Sequence, residues 1–277
     1  MLSMAAPAID HRALYDDCIG QSQTPADRAI LAAAGDRIEA SGIAFSAAAV
    51  AAGLAGLQPI VLTEDEERLV RPLYANRLVA KTGRGRWAYD QIRNSAKYCP
   101  YCSFGEVYEV DHFMPKLDYR ELNICPMNLV PICHACNHIK LSEPPEADDS
   151  YLLHPYYDVL PDIRWLFADL EFESGGPVLR YSVALDAAVY GALAGRLAYQ
   201  FGKLQLDRRF RERASRVLVE IEGDLADHFA VLGPQGMEEH FHAESARHFA
   251  RHGNSLESAA YEAAASNEEF CAGRFRN

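Results

Sequence analysis

Two cysteine pairs, Cys99-Pro-Tyr-Cys102 and Cys133-His-Ala-Cys136, with 30 residues between them, constrain this chain more than any other feature. A CxxC turn brings two thiolates within reach of one tetrahedral ion, and two such turns complete a closed four-sulfur zinc site. A closed site has no open coordination position, so its zinc is structural and supplies folding energy to a segment too small to hold itself together. The seven cysteines make an odd number. The N-terminal residues lack a basic segment leading into an apolar run, so reduced thiols or metal ligands are expected over disulfides, in a cytoplasmic protein. Cys125, inside the spacer, reads as a buried small residue, and Cys18 and Cys271 as unrelated to any site. The uncharged stretch Gly42 to Leu62 is mostly Ala and Gly, too weakly apolar to span a bilayer, and reads as a buried Ala-rich helix.

The spacer carries more than a zinc ribbon needs. It holds Val110-Asp111-His112-Phe113-Met114-Pro115-Lys116, then Asn128-Leu129-Val130-Pro131-Ile132 running into Cys133, with Asn137 and Lys140 after the last cysteine. With the CPYC pair, these forty-odd residues resemble an HNH nuclease of the ββα-metal fold in order, spacing and residue type. The resemblance implies two antiparallel strands and a helix around one catalytic divalent ion, with the four-cysteine zinc pinning the chain that leads into the motif to the start of that helix.

It also implies roles. His112 would be the general base that takes a proton from water, suited to the task by an ordinary pKa of about 6.5. Asp111 would be one ligand of a catalytic Mg²⁺ or Mn²⁺, and Asn137 the second, which makes this an H-N-N variant; His138 could replace Asn137 if the helix register differs by one. Asn128 would hold the His112 ring through a hydrogen bond. Water activated by His112 would then attack phosphorus in line, with the ion stabilising the phosphorane and the departing 3′ oxygen. Lys116 and Lys140 could neutralise phosphates, or simply be solvated.

Around the finger the chain reads as helical, giving an α+β, mainly helical protein with a small zinc-stabilised finger embedded between helical regions. The expected organisation is a helical region over 1–95, the finger over 96–142, and a mostly helical C-terminal domain over 151–277. Helices are expected over Asp27 to Ala40 and Ser46 to Leu57, and Thr63 with Glu66 spells a capping box. From Arg68 to Lys97 eight basic residues stand against Asp90 alone, and Arg84, Arg86, Arg93 and Lys97 are candidates for phosphate contact, though such a run is often a solvated face. An acidic loop, Glu143 to Ser150, follows the finger. Residues 163–184 read as a β-hairpin turning at Gly175-Gly176, and from Asp186 on the pattern is helical, broken at Gly233-Pro234. His154-Pro-Tyr-Tyr-Asp158 resembles segments downstream of some HNH modules, and either docks the C-terminal domain on the finger or reaches the active site. His240, Glu244, His248 and His252 are spaced by four, which reads as a polar solvated face before a second metal site. Asp207 to Arg216 is a second basic patch, lining a DNA channel or ion-paired within its helix.

The formal charge of −12 argues against high sequence-independent affinity for a polyanion. The expectation is therefore a regulated DNA endonuclease, of the kind seen in bacterial anti-phage defence. Its partner would be a sensor or ATPase subunit, and cutting both strands would need a homodimer or two sequential events. No membrane association is expected. Two alternatives stay open: an HNH nuclease acting on RNA, and a silent zinc-finger adaptor. A purely structural finger would need only the four cysteines.

Overall fold

The computed structural model describes residues 3–22, 24–140, 144–174 and 176–273; Glu143 and Gly175 lie outside them. The chain is mainly helical with two small two-stranded antiparallel sheets, the α+β class expected. It divides into two compact units, 1–160 and 161–277, so that the N-terminal helices and the finger fall in one unit. Among the described residues no helix is long and apolar enough to cross a membrane.

The first unit begins with helices α1 (His11–Ile19) and α2 (Pro25–Val50). Thr24 caps α2 by accepting the Asp27 amide at 3.0 Å, and Pro25 sits in the first turn, where its missing N–H costs nothing. One continuous α2 replaces the two helices expected. Leu31, Ala34, Ile38, Ser41, Gly42, Phe45 and Ala49 keep the inward stripe unbroken through residues 41–45, between the two expected helices. Gly42 does not stop the helix, because it faces inward. A Cβ there would stand 2.5 Å from Nδ1 of His11. Nor is the stretch Gly42 to Leu62 one buried helix. It leaves α2 at Val50, passes a 3₁₀ turn (Leu54–Gly56), and exposes Ile43, Val50 and Val61.

Helix α3 (Glu64–Val70) starts on the expected capping box: Thr63 Oγ1 accepts the Glu66 amide, and the Glu66 carboxylate accepts the Thr63 amide at 2.8 Å. A π-helical turn (Tyr74–Val79) and α4 (Arg86–Arg93) follow. The finger comprises β1 (Glu109–His112), β2 (Leu129–Ile132) and α5 (His134–Lys140). The strands pair antiparallel, with His112 opposite Leu129 and Asp111 opposite Val130. Val110 and Leu129 are buried in the same apolar cluster as Leu14, Ile38, Leu78 and Ile92. The ribbon is thus seated on the N-terminal helices and shares their core, which is why the finger is not a unit of its own.

In the second unit β3 (Leu166–Glu173) and β4 (Gly176–Val183) form the expected hairpin. The helices that follow are α6 (Ala187–Tyr190), α7 (Ala192–Lys203), α8 (Leu206–His252), α9 (Leu256–Ala265) and α10 (Glu268–Cys271). Helix α8 is broken at Gly233, whose φ of 65° and ψ of −178° are not helical, and Pro234 follows without an N–H to continue the ladder. The basic patch at its start is ion-paired: Arg211 with Asp207 at 3.4 Å, and Arg208 with Glu212 at 4.0 Å.

Candidate metal centre and active site

All four cysteines of the two pairs are buried, and their sulfurs lie within 4.8 Å of one another, with 3.8 Å from Cys102 to Cys133. The first pair sits on a tight turn. Ser103 takes a left-handed conformation at φ 67° and donates its amide to the Cys99 carbonyl, while Cys99 donates its own to Gly105. Gly105 in turn donates its amide to Cys102 Sγ at 3.4 Å. No side chain fits at 105, since a Cβ would stand 2.7 Å from Cys133 Sγ. The second pair opens α5, where the Cys136 amide points at Cys133 Sγ at 3.4 Å. Amides aimed at sulfur, and a helix N-terminus behind one of them, favour thiolates over thiols. The donor set fits zinc: four sulfurs, closely gathered and shielded from water, a group that could hold a structural ion and that suits an HNH-type zinc finger.

His112 ends β1 and is buried, at 3% exposure. Its Nε2 lies 2.8 Å from the carbonyl oxygen of Asn123. A carbonyl can only accept, so Nε2 carries the hydrogen. Burial pushes the His112 pKa down to about 4, leaving the ring neutral with a lone pair on Nδ1 alone. The ring of Tyr74 meets it edge-on at 4.4 Å, and the Tyr74 hydroxyl donates to the Val110 carbonyl at 2.5 Å. Burial also raises the Tyr74 pKa, so that phenol stays protonated and keeps donating.

Asn128 does not hold the ring. Fully buried, it accepts the Met114 amide through Oδ1 at 2.6 Å and donates Nδ2 to the carbonyls of Leu122 and Met114 at 3.2 and 3.3 Å. It braces the loop between β1 and β2, and that loop presents the Asn123 carbonyl to His112. The expected direct bond therefore gives way to an indirect one.

Asp111 alternates with His112 along β1 and points to the other, half-buried face. Its Oδ2 accepts from Lys140 Nζ at 2.7 Å, and the same ammonium donates to the His112 carbonyl. Lys140 is thus engaged inside the finger, not turned to solvent as a phosphate ligand. Asn137 lies one turn before Lys140 on α5, so the two are neighbours along that helix surface. His138 is exposed, as is His134, which approaches Glu109 at 3.7 Å. A carboxylate and an amide oxygen would form a hard donor set that suits Mg²⁺ or Mn²⁺, and in this structure the Asp111 carboxylate is taken up by the Lys140 ammonium.

The remaining candidates separate. Lys116, Arg84, Arg93 and Lys97 are exposed. Arg86 is committed to Asp90 through two hydrogen bonds, at 3.0 and 2.7 Å. The His154 segment packs on the finger. Its ring lies 4.3 Å from that of Phe113, its Nε2 donates to the Met127 carbonyl at 3.1 Å, and Tyr156 donates its hydroxyl to the Leu129 carbonyl at 2.7 Å. Sequence reasoning missed Tyr74 and Asn123. Nothing in their spelling marks them, since one acts by packing and the other through its backbone.

No family model and no solved structure matches the chain. Protein ea31 of Escherichia phage lambda is 32% identical over 157 residues, which cover 54% of this chain and 52% of that protein. The chain thus spans about half the length of this curated relative.

Proposed function

We propose that the chain is a metal-dependent endonuclease of the HNH type that hydrolyses DNA phosphodiester bonds, with a structural zinc on Cys99, Cys102, Cys133 and Cys136. One observation carries this reading: a neutral histidine whose tautomer is fixed by a backbone carbonyl, beside a carboxylate that faces the helix begun at the cysteine group. A structural finger has no use for such a base.

A divalent ion held by Asp111 and Asn137 would supply positive charge to the pentacoordinate phosphorus and the leaving 3′ oxygen. The protein's own part is proton transfer and position. His112 Nδ1 accepts the proton of the attacking water, while Nε2–H stays on the Asn123 carbonyl, so the ring becomes cationic without turning. Tyr74 blocks rotation by contact. Lys140 must share Asp111 with the ion or withdraw from it.

The charge of −12 supports a regulated effector engaged through a protein partner of the sensor or ATPase kind over a free-standing nuclease. The test is supercoiled-plasmid cleavage with Mg²⁺, Mn²⁺ or EDTA, alongside a matched RNA. Metal-dependent nicking that disappears in a folded, zinc-loaded His112→Ala protein is the expected result. Cleavage surviving in His112→Ala would overturn the mechanism, and cleavage of RNA alone would change the substrate.

A further inference from the structure

We propose a second metal site in the C-terminal unit, built by Asp224, His228 and His240 and taking a divalent transition ion such as Zn²⁺. It is independent of the nuclease reading and shares no residue with it.

The site exists because α8 is broken. Along an unbroken helix His228 and His240, twelve residues apart, would be separated by about 18 Å at roughly 1.5 Å per residue. Their ring centroids are 5.3 Å apart. The turn at Gly233-Pro234 folds the second half of α8 back beside the first, so His240 returns to the face that carries Asp224 and His228. Those two, four residues apart, already share that face. One ligand atom from each of the three lies within 4.8 Å of the others.

The geometry suits an ion more than an ordinary contact. His240 Nε2 and Asp224 Oδ2 are 3.6 Å apart, too far for a hydrogen bond. Neighbouring ligands of a tetrahedral ion with bonds of about 2.1 Å stand about 3.4 Å apart, so this spacing is close to the edge of such a tetrahedron. His240 Nε2 is shielded from water and makes no hydrogen bond. Asp224 is already oriented, since Tyr261 on α9 donates its hydroxyl to Oδ2 at 3.1 Å, the kind of supporting contact that metal-ligating carboxylates receive. His228 is exposed, which leaves a path for the ion. Two imidazoles and one carboxylate form a borderline donor set for zinc-like ions, and three protein ligands leave a position open to water.

The stripe His240, Glu244, His248 and His252 is not the site. Glu244 is paired with Arg247, and His248 stacks on Tyr261 at 5.3 Å. The ligands come from across the hairpin instead, with His240 alone shared between the two sets.

The test is Co²⁺ loading of the full-length, tag-free chain, in an Asp111→Ala background so that no ion at the finger's active site is counted. The four-thiolate centre gives intense sulfur-to-cobalt charge transfer; a nitrogen and oxygen site gives only weak d–d absorption. Two cobalt ions per chain are expected. His240→Gln and Asp224→Asn should each reduce this to one, removing d–d intensity and leaving the charge-transfer band unchanged, with circular dichroism reporting an intact helical hairpin. A single cobalt per chain before either substitution overturns the proposal, as does a second cobalt that survives both.

Discussion

At the scale of single residues, the finger depends on close contacts that permit little change. Gly105 stands against Cys133 Sγ with no room for a methyl group. Gly105→Ala should therefore weaken zinc retention and cost about 1–3 kcal/mol by overpacking, measurable by competition with a chromogenic chelator and by urea unfolding. Lys140 neutralises Asp111 inside the finger, with only 11% of its side chain exposed. Lys140→Met should raise Mn²⁺ affinity near Asp111, read by calorimetry, while lowering stability by about 1–3 kcal/mol through the lost charged hydrogen bonds. His11 supplies the acid-sensitive element. Burial pushes its pKa down to about 4, and its Nε2 is enclosed without a partner. The unfolded chain binds this proton below about pH 6.5 and the folded chain only near pH 4. Stability from this group is thus complete above pH 6.5 and falls as pH drops through that window, by up to about 1.4 kcal/mol per pH unit. Buried His112, lowered to about 4 as well, adds an equal share, so urea titrations across the window should show the summed slope and His11→Gln should remove about half of it. The four cysteines were legible because side-chain chemistry names them. The brace made by Asn128 and the hold by Asn123 were not, because both depend on how the loop folds.

At the scale of elements, sequence punctuation was informative where it met a cap or a turn, and misleading where it met the core. The capping box at Thr63 and the hairpin at residues 163–184 were readable, since each depends on neighbours in the chain. The gap expected between the helices at 27–40 and 46–57 did not form, because Gly42 lets the helix pass close to the His11 ring and the inward stripe runs on beyond it. Thr63→Ala should cost about 1 kcal/mol in urea unfolding, as loss of an N-cap does. The break at Gly233 was visible in the sequence, but its consequence was not. That a break folds a helix back, and so joins residues twelve apart, is a tertiary fact. Gly233→Ala places a side chain at a φ of 65° and should destabilise the hairpin by about 1 kcal/mol or more, with its thermal transition moving to lower temperature.

At the scale of the whole molecule, the two units carry separate cores, and their chemistry should be separable too. Cys102→Ser should lower the melting transition of the unit over 1–160 and leave that of 161–277 in place, a difference that scanning calorimetry resolves. Four cysteines suffice to place a finger in a sequence of this length, yet the helices that seat it are known only through packing: Val110 and Leu129 belong to the same core as Leu14 and Ile38. The hold on His112 by a peptide oxygen has a bearing on descent. Nearly every amino acid brings the same carbonyl to position 123, so mutation can rewrite the side chain there through many generations while the ring keeps its orientation. What is inherited at that point is a curve of the main chain rather than a letter.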